Sequence, residues 1–409
     1  MAGESDGSQI DPGKSRNIEQ NTDLTNESTQ MPNLPSEIIH EVLARLPVKT
    51  LLRFRCVCKL WRSFIADPHF IKKHLHLSTI DDKYTHHRVM ITPAEPHFSF
   101  RSCSLYSIYN EQSDNAIELD YPLRDPRRAN WVIGSCNGLL CIAFKGDVII
   151  VGNPAIREFR RLPEPGFKTW VESYFARYVI YGFGYDDSID DYKVVSVLCF
   201  VRHKHSVTEV KVYTSRTNTW RRIEDFLYGP PHDEPGRLVS GALNWPSIRY
   251  GGFHNNVLRL SWVIVALDLE KETYIEVPQP KYGDSGYDRT LGVLGGCLSI
   301  LCNYRGSHGD VWVMKEYGLG ESWTKLLTIP YVIDLFATER FPYYWPLFFS
   351  KDGEMLFEFA SVLTLYNSKD NTFRFPVIHS FPTCLNANIY VESLVSPNAE
   401  DRVEEHHQL

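Results

Sequence analysis

The stretch EVKVYTSRTNTWRRI, residues 209–223, shows the pattern that decides the fold of most of the chain. It reads as a strand rich in β-branched residues, a polar turn that contains Asn218, and then an aromatic residue, Trp220, at the start of a further short strand. Such a unit predicts a hairpin whose outer strand carries a large aromatic side chain.

The same unit recurs along the chain. Each time, a strand begins near Gly and is followed by a loop, a strand that runs into Asn or Asp, a turn and an aromatic residue. The five aromatic residues are Phe159, Trp220, Tyr274, Trp323 and Phe373. Their successive spacings are 61, 54, 49 and 50 residues, close to the roughly 50-residue period of kelch repeats. Each unit offers up to four strands, so the repeat predicts an all-β, propeller-like (kelch-like) domain whose repeat aromatics anchor the outer strands.

Further strands at both ends of the repeat region are expected to complete the ring. HRVMITP (87–93) and SLYSIYN (104–110) precede the first clear unit, and ANIYVESLVS (387–396) follows the last. An up-and-down ring of sheets has no free edge only when its two ends meet. We therefore expect the N-terminal and C-terminal strands to share one blade, which gives about six blades.

The composition restricts the class of protein. The chain has 409 residues, of which 43% are hydrophobic, and a net charge of −7. This length supports two unequal domains, and the acidic balance predicts neither nucleic acid nor a membrane surface as partner. The apolar runs are far shorter than the ~20 residues of a membrane helix, and the N-terminus lacks the apolar core of a secretory signal. We expect an intracellular protein, in the cytoplasm or the nucleus, with reduced cysteines.

A basic helical region precedes the repeats. Residues 34–76 divide at prolines: Pro35 suits a first helical turn, Pro47 ends that helix, and Asp67-Pro68 separates a third helix from a last turn or two. Apolar residues recur between these breaks at intervals of three and four. Short helices in so small a module leave part of their apolar surface exposed, which is typical of a partner-binding site. The residues expected to be partly exposed are Ile39, Leu43, Leu51, Leu52 and Trp61.

CVCKLW, residues 56–61, places two cysteines in this region. Within one helix Cys56 and Cys58 would point about 200° apart, because each residue advances about 100°. With a helix boundary between them they would be two small, mostly buried thiols. No second Cys or His pair stands nearby to complete a zinc site, so we interpret both as structural.

The helical region resembles the F-box. LPSEIIHEVLARLPVKTLLRFRCVCKLWRSFI (34–65) has the LP start, the centre and the spacing of that family. The resemblance implies docking to a Skp-family adaptor and, through it, to the cullin and RING subunits of a ubiquitin ligase. It also implies the residues of the adaptor-binding surface, some of which are alternatively internal packing: Leu34, Pro35, Ile38, Ile39, Leu43, Leu46, Pro47, Leu51, Leu52, Val57, Cys58 and Trp61.

The repeat region has a resemblance of its own. SCNGLLCI (135–142), NPAIREFRRLP (153–163), GFGYDDSIDDYKVV (182–195), VWVMKEYGLGESWTKL (311–326) and YVESLVS (390–396) are similar to the associated interaction domain of plant F-box proteins, the F-box/kelch-like group that includes S-locus F-box-like proteins. The expected fold is a small all-α F-box module followed by an all-β propeller-like domain. The expected divisions are a disordered leader (1–30), the F-box module (31–77), the F-box-associated domain (86–396) and a polar tail (397–409).

These features predict the substrate-recognition subunit of an SCF-type (Skp–cullin–F-box) ubiquitin ligase, not itself an enzyme, that recruits an unidentified protein for ubiquitination and proteasomal degradation. The strands are committed to blade packing, so we expect the target to contact loops at one rim of the ring. Residues 34–76 carry a net +5, which leaves −12 for the rest of the chain and favours a basic target. The long irregular stretches, which mix aromatic residues and Arg with Gly and Pro, are residues 163–180, 224–238, 246–258, 279–290 and 335–346.

Two other functions stay open. One is a non-ligase interaction scaffold that uses the same apolar helical module. The other is a propeller oxidase or hydrolase with a site on the ring axis, which would require several His, Tyr or carboxylate residues converging at one end of the ring. The sequence shows no such set in phase with the repeat, so it predicts no cofactor, no metal and no catalytic residue.

Groups that could bind a metal are interpreted as structural. HEVLA (40–44) lacks the second His of a zinc-protease helix, so His40 is expected on a solvated face. The pairs at 86–87 and 203–205 have no third ligand in view, and metal binding through them is a minor alternative. The acidic turn at 186–191 is expected to be an exposed loop between strands, with weak calcium binding as its alternative.

Two cysteine pairs fall within the repeats. Cys136 and Cys141 are five residues apart, and so are Cys297 and Cys302. An odd step along a strand places two side chains on opposite faces. Both pairs are therefore expected to contribute to packing on opposite sides of a strand.

Overall fold

The chain forms a group of helices followed by a closed ring of sheets. The computed structural model describes residues 34–93, 99–110, 114–122, 130–144, 148–167, 176–202, 205–231, 234–254, 257–282, 288–304, 307–330, 344–359, 362–379 and 384–398. Within these ranges a small all-α module precedes six four-stranded antiparallel sheets. The six-bladed propeller predicted from the repeat is confirmed.

Four helices form the N-terminal module, and prolines set two of their boundaries. They are α1 (Ser36–Leu43), α2 (Val48–Phe54), α3 (Lys59–Ala66) and α4 (Pro68–Thr79). Pro35 and Pro47 directly precede α1 and α2. Asp67 ends α3 and caps α4, because its side chain accepts hydrogen bonds from the backbone N–H groups of His69 (2.9 Å) and Phe70 (3.0 Å). With 12 residues, α4 is longer than the expected turn or two.

The first strands after the helices lie close to the last strand of the chain. They are β1 (His87–Pro93), β2 (Arg101–Ser104), β3 (Asp114–Asn115) and β4 (Ile117–Glu118). SLYSIYN was predicted to be a strand, but its centre is a short helix, α5 (Leu105–Tyr109). Ser104 overrides the β propensity of these residues, because its hydroxyl accepts from the Ser107 N–H (3.3 Å) and so caps the helix.

Five blades follow one another along the chain, each running from an inner to an outer strand. Blade 1 contains β5 (Asn130–Cys136), β6 (Leu139–Phe144), β7 (Val148–Asn153) and β8 (Glu158–Arg161). Blade 2 contains β9 (Ala176–Asp186), β10 (Asp191–Arg202), β11 (His205–Thr214) and β12 (Thr219–Arg222). Blade 3 contains β13 (Arg237–Val239), β14 (Ala242–His254), β15 (Val257–Asp268) and β16 (Tyr274–Val277).

Blades 4 and 5 repeat the arrangement, and two late strands follow them. Blade 4 contains β17 (Asp288–Leu294), β18 (Cys297–Tyr304), β19 (His308–Met314) and β20 (Trp323–Pro330). Blade 5 contains β21 (Tyr344–Phe349), β22 (Glu354–Phe359), β23 (Val362–Asn367) and β24 (Thr372–Arg374). The late strands are β25 (Ile378–His379), which pairs with β3 in parallel, and β26 (Cys384–Val391).

The ring closes in blade 6, where the two ends of the repeat region meet. Its strand order is β26-β1-β2-β4, with β26 as the inner strand. β26 runs antiparallel to β1, with Met90 opposite Asn388. The expectation that N-terminal and C-terminal strands share one blade is confirmed. The strand predicted over 387–396 ends at Val391, just before the Glu392 N–H makes one further bond to the carbonyl oxygen of His86 (2.8 Å). The next residue, Ser393, leaves blade 6 and contacts Asn153 of blade 1.

The five repeat aromatics occupy one register position in their blades. Each aromatic stands on the outer strand and is paired directly with a residue of the third strand. The pairs are Gly152–Phe159, Tyr213–Trp220, Leu267–Tyr274, Met314–Trp323 and Tyr366–Phe373. In four blades the residue two positions earlier has a positive φ of 51–60°. That left-handed residue closes the turn into the outer strand, and explains why the turn and the aromatic recur together.

Three of these aromatics also join neighbouring blades. The indole N–H of Trp220 donates to the carbonyl oxygen of Pro163 (2.7 Å), and that of Trp323 donates to Pro278 (2.7 Å). The hydroxyl of Tyr274 donates to the carbonyl oxygen of Glu224 (3.1 Å). Each acceptor lies just after the outer strand of the preceding blade, so these side chains tie one blade to the next as well as anchoring their own.

The two faces of the ring differ in their connections. Since neighbouring strands are antiparallel, the turns from first to second and from third to fourth strand share one face. We call it the helical face, defined by the first-to-second turns at 137–138, 187–190, 240–241, 295–296 and 350–353. The links between blades, and the turns from second to third strand, leave the opposite face, which we call the loop face.

Candidate functional site: two opposite surfaces

The twelve residues carried over from the F-box pattern divide into three groups. The exposed ones are Leu34 (63%), Ile38 (48%), Val57 (60%), Pro35, Pro47 and Cys58. The half-buried ones, which pack against the core of the helical module, are Ile39, Leu46, Leu52 and Trp61. The fully buried ones are Leu43 and Leu51, at 2% and 0% exposure. An incoming partner therefore meets only part of the predicted set.

The expectation that Leu43 and Leu51 are partly exposed is wrong. Both belong to a cluster that includes Ile65 and Phe70 from the later helices and Leu394 from the far C-terminal region. These later residues cover surface that three short helices alone would leave open. Leu43 and Leu51 therefore hold the helices together, and a partner cannot reach them unless the module opens.

Two exposed apolar residues of this surface were missed. Val42 and Leu60 are 54% and 51% exposed, and neither is among the residues predicted for the adaptor-binding surface. Ile38 and Val42 are four residues apart on α1 and so share one face of the helix, and exposed Leu34 precedes the helix. Leu60 lies near Val57, at the start of α3. The signal that could have found Val42 and Leu60 is the width of the apolar band, since a small module cannot bury so wide a band.

The two cysteines of CVCKLW lie at the boundary between α2 and α3. Cys58 caps α3, because its sulfur accepts from the Trp61 N–H at 3.5 Å. Both Cys56 and Cys58 are exposed, so the interpretation of mostly buried thiols is wrong. The turn at 55–57 carries them away from the core, which leaves Cys58 as part of the surface that also contains Val57.

Charged and aromatic contacts fix α1 against α4. Glu41 of α1 forms ion pairs with Lys73 of α4 and, at 2.8 Å, with Arg45. Hydrogen bonds from Lys73 and then Arg45 lower the pKa of Glu41 to about 2. His40 was expected on a solvated face, but its ring is half-buried with its centre 5.0 Å from that of Phe70. The closeness of α4, which the sequence does not show, explains that difference.

The helical module lies across the helical face of the ring. Lys72 of α4 forms a 2.8 Å ion pair with Asp190 in the blade 2 turn. Asp82, which follows α4, forms a 2.8 Å pair with Lys351 in the blade 5 turn. Tyr84 packs against Phe348 of blade 5, with ring centres 5.0 Å apart. Contacts on well-separated blades therefore hold the module over the mouth of the central channel.

A cavity of about 670 Å³ lies between this module and the inner strands. Its lining includes Ile80 and Asp81 above and Phe183, Val293 and His87 from the ring. Burial lowers the pKa of His87. Within the part of the chain that the structure describes, no three His, Cys, Asp or Glu side chains are grouped so as to hold a metal ion.

The acidic turn at 186–191 was expected to be an exposed loop, and this is wrong for two of its carboxylates. Asp186 and Asp191 are 3% and 2% exposed. Asp186 forms a 2.7 Å ion pair with buried Lys193, which also reaches Glu272 of blade 3 at 3.0 Å. The carboxylate of Asp186 is therefore occupied in a network that joins blade 2 to blade 3, whereas that of Asp191 accepts from the Arg216 N–H (2.9 Å) within blade 2.

One cysteine pair differs from its prediction and the other agrees with it. Cys136 and Cys141 lie on two paired strands, β5 and β6, and join one hydrophobic cluster. They do not lie on opposite faces of one strand, because the turn at 137–138 separates them. Cys297 and Cys302 do share β18 and contact different clusters, as predicted. The side chains of His203 and His205 lie outside the described residues.

Where they are described, the predicted target-binding stretches adjoin strand ends on the loop face. Four of them contain a link between blades, such as the one from Arg161 to Ala176, and 246–258 contains the turn between β14 and β15. Within these stretches, residues 168–175, 232–233, 255–256, 283–287 and 335–343 lie outside the described residues. Among the described parts, Arg249 forms a 2.9 Å ion pair with Glu276, which accepts from the Tyr228 hydroxyl at 2.8 Å. None of the helices within the described ranges is long and apolar enough to cross a membrane.

Comparison with known families assigns both parts of the chain. Residues 31–73 match the F-box domain, and residues 96–396 match the F-box associated beta propeller domain. The chain belongs to the F-box protein family. An F-box domain implies binding to a Skp-family adaptor. F-box/kelch proteins themselves are generally adaptor proteins rather than enzymes.

Two relatives match along most of the chain. The F-box/kelch-repeat protein At3g23880 of Arabidopsis thaliana is 36% identical over 385 residues, which cover 92% of this chain and 99% of the relative. The F-box protein CPR1 of Arabidopsis thaliana is 32% identical over 392 residues, 89% of either chain. The resemblance to plant F-box proteins is thereby confirmed.

Among solved structures, a six-bladed propeller lectin of Aleuria aurantia aligns with 72% of this chain and 92% of its own, at 9% identity and a TM-score of 0.36. So low a score carries no argument about function. The number of blades rests on the strand pairing within this chain.

Proposed function

We propose that this F-box protein is the substrate-recognition subunit of an SCF-type ubiquitin ligase in the cytoplasm or the nucleus. The F-box helices would bind a Skp-family adaptor and, through it, the cullin and RING subunits. The propeller would hold a protein target for ubiquitination and degradation. The observation that supports this most is the position of the helices on one face of the ring, with the irregular loops on the opposite face.

We place the adaptor on the exposed apolar residues of the helical module. Ile38 and Val42 supply one face of α1, with Leu34 just before the helix, and Val57 and Leu60 supply apolar surface at the start of α3. Side chains that are half or more exposed gain most from being covered by a partner, at about 25 cal/mol for each Å² of apolar area buried. Ile39, Leu46, Leu52 and Trp61 would support this surface from below, and Leu43 and Leu51 would act only through the fold.

We place the target on the loop face, with the links between blades as the variable contacts. A target held there and a ligase held on the helical face cannot compete for the same surface. Ubiquitin transfer would then depend on the high local concentration of the target, since the chemistry belongs to the partner subunits. The division into a leader (1–30), a module (31–77), a propeller (86–396) and a tail (397–409) stays a prediction, and residues 1–33 and 399–409 lie outside the described residues.

A matched pair of substitutions tests the adaptor surface. Val57→Asp places a charge on the proposed surface, whereas Val377→Asp makes the same change at an equally exposed position near the loop face, since these valines are 60% and 66% exposed. We expect Val57→Asp to abolish co-purification with a Skp-family adaptor and Val377→Asp to leave it intact. Neither should alter thermal unfolding, because both positions are exposed.

Two results would contradict the proposal. If unsubstituted protein fails to bind any Skp-family adaptor while it still captures cellular proteins, it is a scaffold and not a ligase subunit. If Val57→Asp and Ile38→Asp both retain the adaptor, the contact surface is assigned wrongly. Proximity labelling after proteasome inhibition, with Val57→Asp as the comparison, would show which captured proteins depend on the ligase.

A further inference from the structure

We infer that residues 392–398, which follow the last strand of the ring, act as a clamp that fixes the F-box helices on blade 1. We call this segment the C-terminal clamp. It would act as a positioning element, because it sets where the adaptor stands relative to the target. That consequence rests on the proposed function, whereas the clamp itself can be tested without any partner.

The apolar half of the clamp is Leu394. Its side chain is 5% exposed and completes the core of the helical module, in one cluster with Leu51 and Phe70. Ala155 and Ile156, from the turn between β7 and β8, pack against the same cluster. The helices, the clamp and blade 1 therefore share one hydrophobic core, although Leu394 stands more than 200 positions after the residues that it joins.

The polar half of the clamp is centred on Asn153, at the end of β7. Its side-chain amide donates to the carbonyl oxygens of Ser393 (2.9 Å) and Val395 (2.8 Å) and to the Ser393 hydroxyl (3.2 Å). The side-chain oxygen of Asn153, Oδ1, accepts from the Ala155 N–H (2.9 Å). This bond shapes the turn that contacts the helices. Asn153 and Ser393 are both fully buried. A buried network in which each group has a partner favours one arrangement strongly.

Ser393 ties the clamp to the first hairpin of blade 1. Its hydroxyl donates to the carbonyl oxygen of Asn137 at 2.9 Å. The next residue, Gly138, has a φ of +82°, and a Cβ there would stand 2.3 Å from the Ser393 oxygen and 2.7 Å from the carbonyl oxygen of Val391. Only glycine therefore lets the clamp pass so close to this turn. On the outer side, the Ser396 hydroxyl donates to the carboxylate of Glu158.

Three separate sequence motifs meet at this point. SCNGLLCI supplies the Asn137-Gly138 turn, NPAIREF supplies Asn153 and the Ala155-Ile156 contact, and YVESLVS supplies Ser393 and Leu394. None of them lies on the loop face, and no ligand chemistry is needed to explain them. Their shared position is explained if their common task is to hold the helices on the ring.

Chemical cross-linking of the full chain tests the position of the module. A carbodiimide joins Lys72 to Asp190 only while α4 stays on blade 2, whereas it joins Lys73 to Glu41 as long as the helices stay folded. In Asn153→Asp, a carboxylate would face three acceptor oxygens and expel the clamp. We expect this variant to lose the Lys72–Asp190 cross-link and to keep the Lys73–Glu41 cross-link, a difference that general destabilisation would not produce.

Hydrogen exchange gives a second readout. Leu394→Ala should increase amide exchange in α1 to α4 by about tenfold or more, since a large buried side chain is removed from their core. Leu356→Ala makes the same change at a fully buried position of blade 5 and should leave exchange in the helices unchanged. Leu394→Met, which retains the volume, should restore slow exchange and the Lys72–Asp190 cross-link.

The inference is overturned if both Asn153→Asp and Leu394→Ala keep the Lys72–Asp190 cross-link at its original yield. It is also overturned if Leu356→Ala speeds exchange in the helices as much as Leu394→Ala does. Failure to bind a Skp-family adaptor would leave both measurements unaffected, so the clamp and the proposed function fail independently.

Discussion

Replacing Trp323 by Ala should cost several kcal/mol of folding free energy. This residue is 7% exposed and packs between blades 3 and 4. Truncating a buried large aromatic to Ala removes about 3–5 kcal/mol. The indole hydrogen bond to Pro278 adds about 1 kcal/mol, because the carbonyl oxygen of Pro278 loses its donor. Trp323→Phe keeps most of the ring and loses the donor, so it should cost only about 1–2 kcal/mol.

Urea unfolding followed by far-ultraviolet circular dichroism measures this difference without depending on tryptophan fluorescence. Trp131→Ala is a suitable control, since that side chain is 37% exposed and its removal should cost much less than that of Trp323. The expected order of stability is Trp131→Ala, then Trp323→Phe, then Trp323→Ala as the least stable. If Trp323→Ala unfolds at the same urea concentration as the unsubstituted chain but loses captured targets, Trp323 is a binding residue and the structural explanation fails.

Three further outcomes can be checked. Leu51→Glu should unfold the helical module as a whole, because Leu51 is fully buried. Limited proteolysis would show this as new cleavage within α1 to α4, and intact helices would contradict it. Lys193→Ala should cost about 3–5 kcal/mol in urea unfolding, since it leaves the buried carboxylate of Asp186 without its cation, and a loss below about 1 kcal/mol would contradict the importance of this ion pair. Burial raises the pKa of Glu358 from 4.5 to about 7. Between these pH values the folded state holds a proton that the unfolded state has released. The free energy of unfolding therefore falls as the pH rises from about 4.5 to 7. Glu358→Gln should flatten this part of the pH profile, measured as urea midpoints at pH 5 and 8, and an unchanged slope would exclude Glu358 as its source.

Local patterns were sufficient to predict the blades. A left-handed turn residue followed two positions later by an aromatic is decided by neighbours in sequence, so the repeat of Phe159, Trp220 and their equivalents located five of the six outer strands. The prolines that precede α1 and α2 act in the same local way. The sequence failed at SLYSIYN, where a single side-chain cap from Ser104 outweighs the β propensity of the following residues.

Long-range contacts explain the errors in the helical module. The burial of Leu43 and Leu51 depends on α4 and on Leu394, which stands more than 300 residues later in the chain. No periodicity within residues 34–76 contains that information. The same holds for Asp186, whose burial depends on Lys193 and on Glu272 of the next blade. The exposed surface of the module could be predicted as a region, but not residue by residue.

The closure of the ring by β26 has a consequence for the newly made chain. β1 pairs with β2 on one side and with β26 on the other, and β26 is synthesised after every other strand of the six blades. At about 5–20 residues per second, the ribosome needs roughly 15–60 s to cover the distance between β1 and β26. During that interval one edge of β1 has no strand beside it, and an open edge is a template for pairing with other chains. Chaperone binding to the nascent protein should therefore concentrate on residues 87–93 and end when β26 leaves the ribosome.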